Sequence, residues 1–121
     1  MGEEHLALDV CQLLYDKKAE DILALRVAHL TVLCDYIVVA TALSTIQAKA
    51  LADHLEEKLQ GKGRTPRRVE GKEHGTWIVM DYLSVIVHIF KPEERAHYRL
   101  ERMWRDGTNR LALPFEALRE A

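Results

Sequence analysis

The chain has 121 residues, 48% of them apolar and 30% charged, with a formal net charge of −2. That length is one domain's worth of chain. The mixed charge excludes a chain-wide basic field for coating nucleic acid, and the apolar runs are too short to span a bilayer, so no membrane partner is expected.

The first residues, Met-Gly-Glu-Glu-His, form no basic leader, and Leu6 stands where a myristoylation motif wants Ser or Thr. A cytoplasmic location is the expectation. Cys11 and Cys34 have no C-x-x-C spacing and read as buried thiols in a reducing compartment. Residues 5–17 place Leu6, Val10, Leu13 and Leu14 on one face and predict a helix. After a polar break, 21–27 alternates, with Ile22 and Ala24 on one side and Leu23, Leu25 and Val27 on the other, which predicts a strand. Residues 30–33 extend it or form its turn. Residues 35–41 hold Ile37, Val38 and Val39 in sequence and predict a strand buried on both faces.

Ser44-Thr-Ile-Gln47 fits a capping box. It opens a helix with a buried stripe of Ala48, Leu51, Ala52, Leu55 and Leu59, stopped by Gly61 and Gly63. The polar segment 61–75 contains a short strand at 67–69. Residues 76–82 and 85–90 predict two strands joined at Leu83-Ser84. Pro92, with Glu93 and Glu94 behind it, opens a helix running to about Arg105. Beyond Gly107 the chain reads as a loose tail, with Phe115 and Leu118 docking back. The order αββαβββα predicts an α/β class with one mixed sheet. A single domain is expected at residues 1–106, with residues 107–121 as a C-terminal tail.

A carboxylate metal site needs two acids on one strand face, two residues apart. Asp35 is followed at that spacing by Ile37, and Asp81 is flanked by Val79 and Leu83. No metal, cofactor or catalytic residue is therefore assigned, and the expectation is a protein that is not an enzyme. His88, between Val87 and Ile89, reads as a hydrogen-bonded structural residue rather than a ligand. The basic run Lys62, Arg64, Arg67, Arg68 and Lys72 lacks interleaved aromatics. It reads as a solvated loop with a charged edge strand, and Arg64, Arg67 and Arg68 are the candidates if it touches phosphate. On the strand at 76–82, Trp77, Val79 and Asp81 share one face, and Ile78, Met80 and Tyr82 share the other. One face of the sheet is covered by the two long helices; the other meets the last helix or stays open. Aromatics and methionine on an open sheet face make a protein-binding patch, and the same residues on a covered face are core.

Several stretches together are similar to the ribosomal silencing factor family, also called Iojap-like or RsfS. They are Asp35-Tyr-Ile-Val-Val-Ala-Thr41, Ser44-Thr-x-Gln47 with Ala48 and Ala52, Val69-Glu-Gly71, Gly75-x-Trp77 and Asp81-Tyr82. The likeness continues through Val85-x-Val87-His88-Ile89-Phe90, Pro92-Glu-x-Arg95, Tyr98 and Leu100-Glu101-x-x-Trp104. Two positions depart from the family pattern: Ala42 replaces a glycine, and Leu83-Ser84 replaces a Gly-Asp hairpin. The resemblance implies a nucleotidyltransferase-like topology without its active site. It implies a non-enzymatic factor that binds the large ribosomal subunit through its fourteenth ribosomal protein and blocks joining of the small subunit under starvation. Carried over by position, it implies Trp77, Met80, Asp81, Tyr82, Phe90, Tyr98 and Glu101 as contact or contact-supporting residues. It also implies a homodimer near the same surface. The alternatives are a large-subunit assembly factor and a nucleotidyltransferase-like enzyme.

Overall fold

The computed structural model describes residues 2–116. In chain order it holds α1 (Gly2–Asp16), β1 (Glu20–Arg26), β2 (Tyr36–Thr41), α2 (Thr45–Gln60), β3 (Arg68–Glu70), β4 (Trp77–Asp81), β5 (Val85–Phe90), α3 (Pro92–Tyr98) and α4 (Leu100–Trp104). The strands form one mixed sheet in the order β1-β2-β5-β4-β3. β2 and β5 run parallel at its centre, and the other pairs are antiparallel. A parallel pair needs a long crossover, which α2, β3 and β4 together provide.

Strand alternation sends the apolar residues into two cores. Ala24, Val38, Ala40, Ile78, Met80, Tyr82, Val85, Val87 and Ile89 face α1 and α2, packing on Leu6, Val10, Leu14, Leu51 and Leu55. Leu23, Leu25, Ile37, Val39 and Phe90 face the other way, under Leu100 and Trp104. β2 is buried at every position because both its faces are covered. Each fully buried aliphatic side chain here contributes about 1.5–3 kcal/mol, which is what fixes the strand register.

The Ser44 hydroxyl accepts from the Gln47 N–H at 3.0 Å, as a capping box requires. The reciprocal bond lands one residue early: Gln47 Oε1 accepts from the Leu43 N–H at 2.7 Å. Gln47 Nε2 also donates to the Lys18 carbonyl at 3.2 Å and so ties the helix start to the end of α1.

The helix expected from Pro92 to Arg105 is broken at Arg99, a left-handed residue (φ 48°, ψ 45°) that separates α3 from α4. The reason is geometric. Tyr98 and Leu100 lie about 200° apart on a straight helix, yet both have aromatic or apolar surface of the same sheet to cover. Breaking the helix lets Tyr98 meet Trp77 while Leu100 and Trp104 enter the second core.

The tail expected to be loose beyond residue 106 is docked as far as it is described. The Arg26 N–H donates to the Asn109 carbonyl at 2.8 Å, and the Leu111 N–H donates to the Ala24 carbonyl at 2.9 Å. This short run covers the outer edge of β1, and buried Leu113 and Phe115 follow it. Phe115 stacks on Tyr15 with ring centroids 4.2 Å apart. An unpaired edge strand would be a template for aggregation, and the docked run removes it. Leu118 lies outside the described residues.

Candidate functional site

The sheet is covered asymmetrically. α1 and α2 cover one face, whereas α3 and α4 cover only part of the other. Trp77, Val79 and Asp81 on β4 and Ile86 and His88 on β5 remain half-buried on that second face. The register brings them side by side, with Trp77 opposite Phe90, Val79 opposite His88 and Asp81 opposite Ile86.

Trp77 is the centre of the patch. Its ring stacks on Phe90 at 4.8 Å and meets Tyr98 at 4.6 Å. Its indole N–H donates to His88 Nδ1 at 3.1 Å. Burial holds the His88 imidazole down to about 4, so it is neutral at pH 7. Tyr98 is 50% exposed. Gly71 sits behind this cluster with φ +82°, and a Cβ there would overlap the Trp77 carbonyl oxygen. Only glycine fits, and it sets how β4 begins.

Asp81 closes the other end of the patch. Its carboxylate accepts from Arg67 Nη2 at 2.7 Å and from the Leu83 N–H at 2.8 Å. Burial alone would raise this carboxyl, but the bonds from Arg67 and Leu83 outweigh it and hold it below the usual range. The Asp81 side chain is 13% exposed. It builds the turn rather than standing free at the strand end, and a lysine there would face Arg67. Leu83 itself carries φ 73°, the left-handed backbone a glycine would tolerate better. A small open hollow of about 100 Å³ is lined by Arg68, Glu70, Val79, Asp81 and Ile86.

The remaining expected site residues fall into two groups. Met80 and Tyr82 lie on the covered face, fully buried and 3% exposed. Any part they play in docking is through the core beneath. Among the described residues the Tyr82 hydroxyl has no hydrogen-bond partner, and burial, with the Glu56 charge, pushes it up to about 12. Phe90 is fully buried under Trp77. Glu101 is a brace: its Oε2 accepts from Arg95 Nε at 3.1 Å. Arg95 Nη1 donates on to the Asp21 carbonyl at 2.7 Å and to Thr41 Oγ1 at 2.8 Å, pinning the α3–α4 bend to the sheet.

The basic segment is not the free patch its composition suggests. Arg64 pairs with Glu3 at 3.2 Å, Arg67 with Asp81, and Arg68 with Glu70 at 3.3 Å. An approaching anion meets three neutralised pairs there. Arg99, Arg102 and Arg105 are exposed and have no carboxylate partner among the described residues.

The resemblance carries over Trp77, Phe90, Tyr98 and Asp81 as contact or supporting residues; the structure packs Trp77 with Phe90 and Tyr98 and puts Asp81 at the far end of β4. The sequence put Val79 on the face of Trp77 and Asp81 without naming it as a contact, and it did not place Ile86 there, because that needs the β4–β5 register. Nor did it identify Arg95 as the pin. The Pro92-Glu-x-Arg95 stretch of the resemblance singles out the residue but not what it holds.

As a class this is a small α/β domain with one sheet face sealed by helices and an aromatic patch on the open half of the other. The chain belongs to the ribosomal silencing factor family: the family model described as "RsfS: Ribosomal silencing factor during starvation" matches residues 2–120. It is 36% identical to the ribosomal silencing factor of Halalkalibacterium halodurans over 92 residues, covering 76% of this chain and 79% of that protein. A crystal structure of a Chromobacterium violaceum protein superposes with a TM-score of 0.83 at 31% identity, covering 94% of this chain and 97% of that one. The chain is also similar to the mouse protein named mitochondrial assembly of ribosomal large subunit protein 1, at 30% identity over 95 residues, 76% of this chain and 42% of that protein.

Proposed function

We propose that this chain binds the large ribosomal subunit through its fourteenth ribosomal protein and silences translation by excluding the small subunit. The observation that carries the reading is the open half-face. Trp77 is held by Phe90, Tyr98 and His88, and Val79 and Ile86 extend an apolar surface that no described element covers. Rigid aromatics bury much area at low entropy cost, so such a patch suits a protein partner.

The mechanism needs no chemistry. An occupant at the joining surface excludes the other subunit by overlap, and potency then follows affinity and concentration. A standard interface buries about 1,200–2,000 Å² in total, more than the open half-face alone, so α3, the hairpin at Leu83 and neighbouring loops would share the contact. Trp77, Tyr98, Val79 and Ile86 are the direct contacts in this reading; Phe90, Asp81, Glu101, Met80 and Tyr82 support them. A phosphate contact by Arg64, Arg67 or Arg68 would have to displace a carboxylate from each.

The test is a sucrose gradient of purified subunits in the cytoplasmic salt range, with and without this protein in excess. The expected result is cosedimentation with the large subunit and a depleted joined-particle peak. Unchanged peaks and no binding would remove the proposal. The mouse relative's name favours one second reading, a role in large-subunit assembly. Preferential binding to immature over mature large subunits would select it. A homodimer would compete for the same patch, and sedimentation equilibrium of the free protein tests that directly.

A further inference from the structure

We propose that His88 is a specificity-determining residue of the docking face: it presents its Nε2–H as a hydrogen-bond donor, so the partner must place an acceptor against it. This rests on the docking role proposed above.

The argument begins with Trp77. An indole nitrogen can only donate. Its bond to His88 Nδ1, at 3.1 Å, therefore makes Nδ1 an acceptor. A neutral imidazole with Nδ1 unprotonated must carry its proton on Nε2. The indole thus selects the tautomer. The imidazole is neutral, because burial favours that form. The ring is gripped on both sides of the β4–β5 ladder, opposite Val79 and beside Trp77 and Phe90, so the donor's direction is fixed as well.

Nε2 has no partner among the described residues, and it is not among the side-chain atoms sealed from solvent. In the free protein water satisfies it. A partner seated on Trp77, Val79 and Ile86 would strip that water away. A donor desolvated without an acceptor costs more than a normal hydrogen bond gains. Its immediate neighbours Trp77, Val79 and Phe90 offer no acceptor, and the nearest carboxylate on β3, that of Glu70 across Val79, is paired with Arg68 at 3.3 Å. The patch therefore rejects a purely apolar partner and accepts one that offers a backbone carbonyl, a hydroxyl or a carboxylate at that point. This is how an apolar face becomes selective.

Two measurements decide it. The first is a long-range proton–nitrogen correlation spectrum of 15N-histidine-labelled protein, with and without the isolated fourteenth large-subunit ribosomal protein. His88 should show the Nε2-protonated tautomer, and its Nε2–H should shift and exchange more slowly in the complex. An Nδ1-protonated ring, or an Nε2–H unmoved by binding, overturns the inference.

The second is His88→Asn. Its amide oxygen reaches the Nδ1 position and can still accept from Trp77, but nothing replaces the distal donor. Affinity for purified large subunits should fall about tenfold or more. Melting and Trp77 fluorescence, read in a Trp104→Phe background, should stay near the unsubstituted values. Unchanged affinity overturns the inference while leaving the docking role intact. Absence of binding by the unsubstituted protein removes the docking role and this inference with it. If His88→Asn does not fold, the spectrum of the natural protein decides alone.

Discussion

The two faces of β4 are one residue apart and do different work. Ile78 and Met80 point into the core under α1 and α2 and are fully buried. Trp77, Val79 and Asp81 point the other way, half-buried, over a surface that the chain covers only in part. On the first face, free energy is already committed to folding. On the second, apolar area is held in position but still wet, and remains available for a partner. The difference comes from α3 and α4, which are too short and too bent to cover the whole sheet. Truncations on the covered face should therefore cost stability, and truncations on the open face should cost binding.

The largest expected effect is on the covered side. Met80→Ala should lower unfolding stability by about 2–5 kcal/mol, as buried large-to-small changes do. Denaturant titration reads it directly. A loss under about 1 kcal/mol would mean that Met80 is less firmly packed than its burial implies, and the comparison between the faces would weaken.

His88 gives the next effect, with a defined sign. Its imidazole is held down to about 4 in the folded chain, against about 6.5 for a free histidine. Between those values the unfolded chain binds the extra proton and the folded chain does not. Stability should therefore fall as pH drops from about 6.5 to about 4, by about 3 kcal/mol from this group. In His88→Asn the fall over that window should be shallower. Parallel curves for the two proteins would show that His88 is less desolvated than its position suggests. Asp81, held low by Arg67 and Leu83, adds its own loss in more acidic solution as its carboxyl protonates.

Leu83→Gly should do the opposite, by a small amount. Leu83 is 58% exposed and sits at φ 73°. Relieving that backbone should stabilise the hairpin by about 0.5–1 kcal/mol after glycine's own entropy cost. Thermal melts check it. A destabilised variant would mean the Leu83 side chain makes contacts that outweigh its backbone strain.

Much of this could be read in advance, for identifiable reasons. Alternation along 76–82 assigned the two faces of that hairpin strand correctly, because side-chain period is a local property. The Ser44 cap and the α2 stripe were legible for the same reason. What failed was non-local. The break at Arg99 depends on where Trp77 lies relative to the second core, and that follows from strand order rather than from helix propensity. Arg64, Arg67 and Arg68 looked like one basic run, yet their carboxylates come from α1, β4 and β3. The docked tail required knowing that β1 is the edge strand. The bond from Trp77 to His88 spans two strands, so only the register reveals it. Of the expected contact or supporting residues, Met80 and Tyr82 lie on the covered face, since composition does not say which face the long helices cover.

The central claim, that the open face docks and the helix-covered side does not, is tested most directly by a matched pair of exposed residues. Tyr98 is 50% exposed beside Trp77 on the open face, and Ile46 is 80% exposed at the start of α2 on the opposite side. Tyr98→Ala and Ile46→Ala should each change stability little. Cosedimentation with purified large subunits should then separate them. Tyr98→Ala is expected to lose about 1–2 kcal/mol of binding or more, whereas Ile46→Ala binds like the natural protein. Full binding by Tyr98→Ala together with loss in Ile46→Ala would contradict the account and move the docking surface to the other side of the sheet.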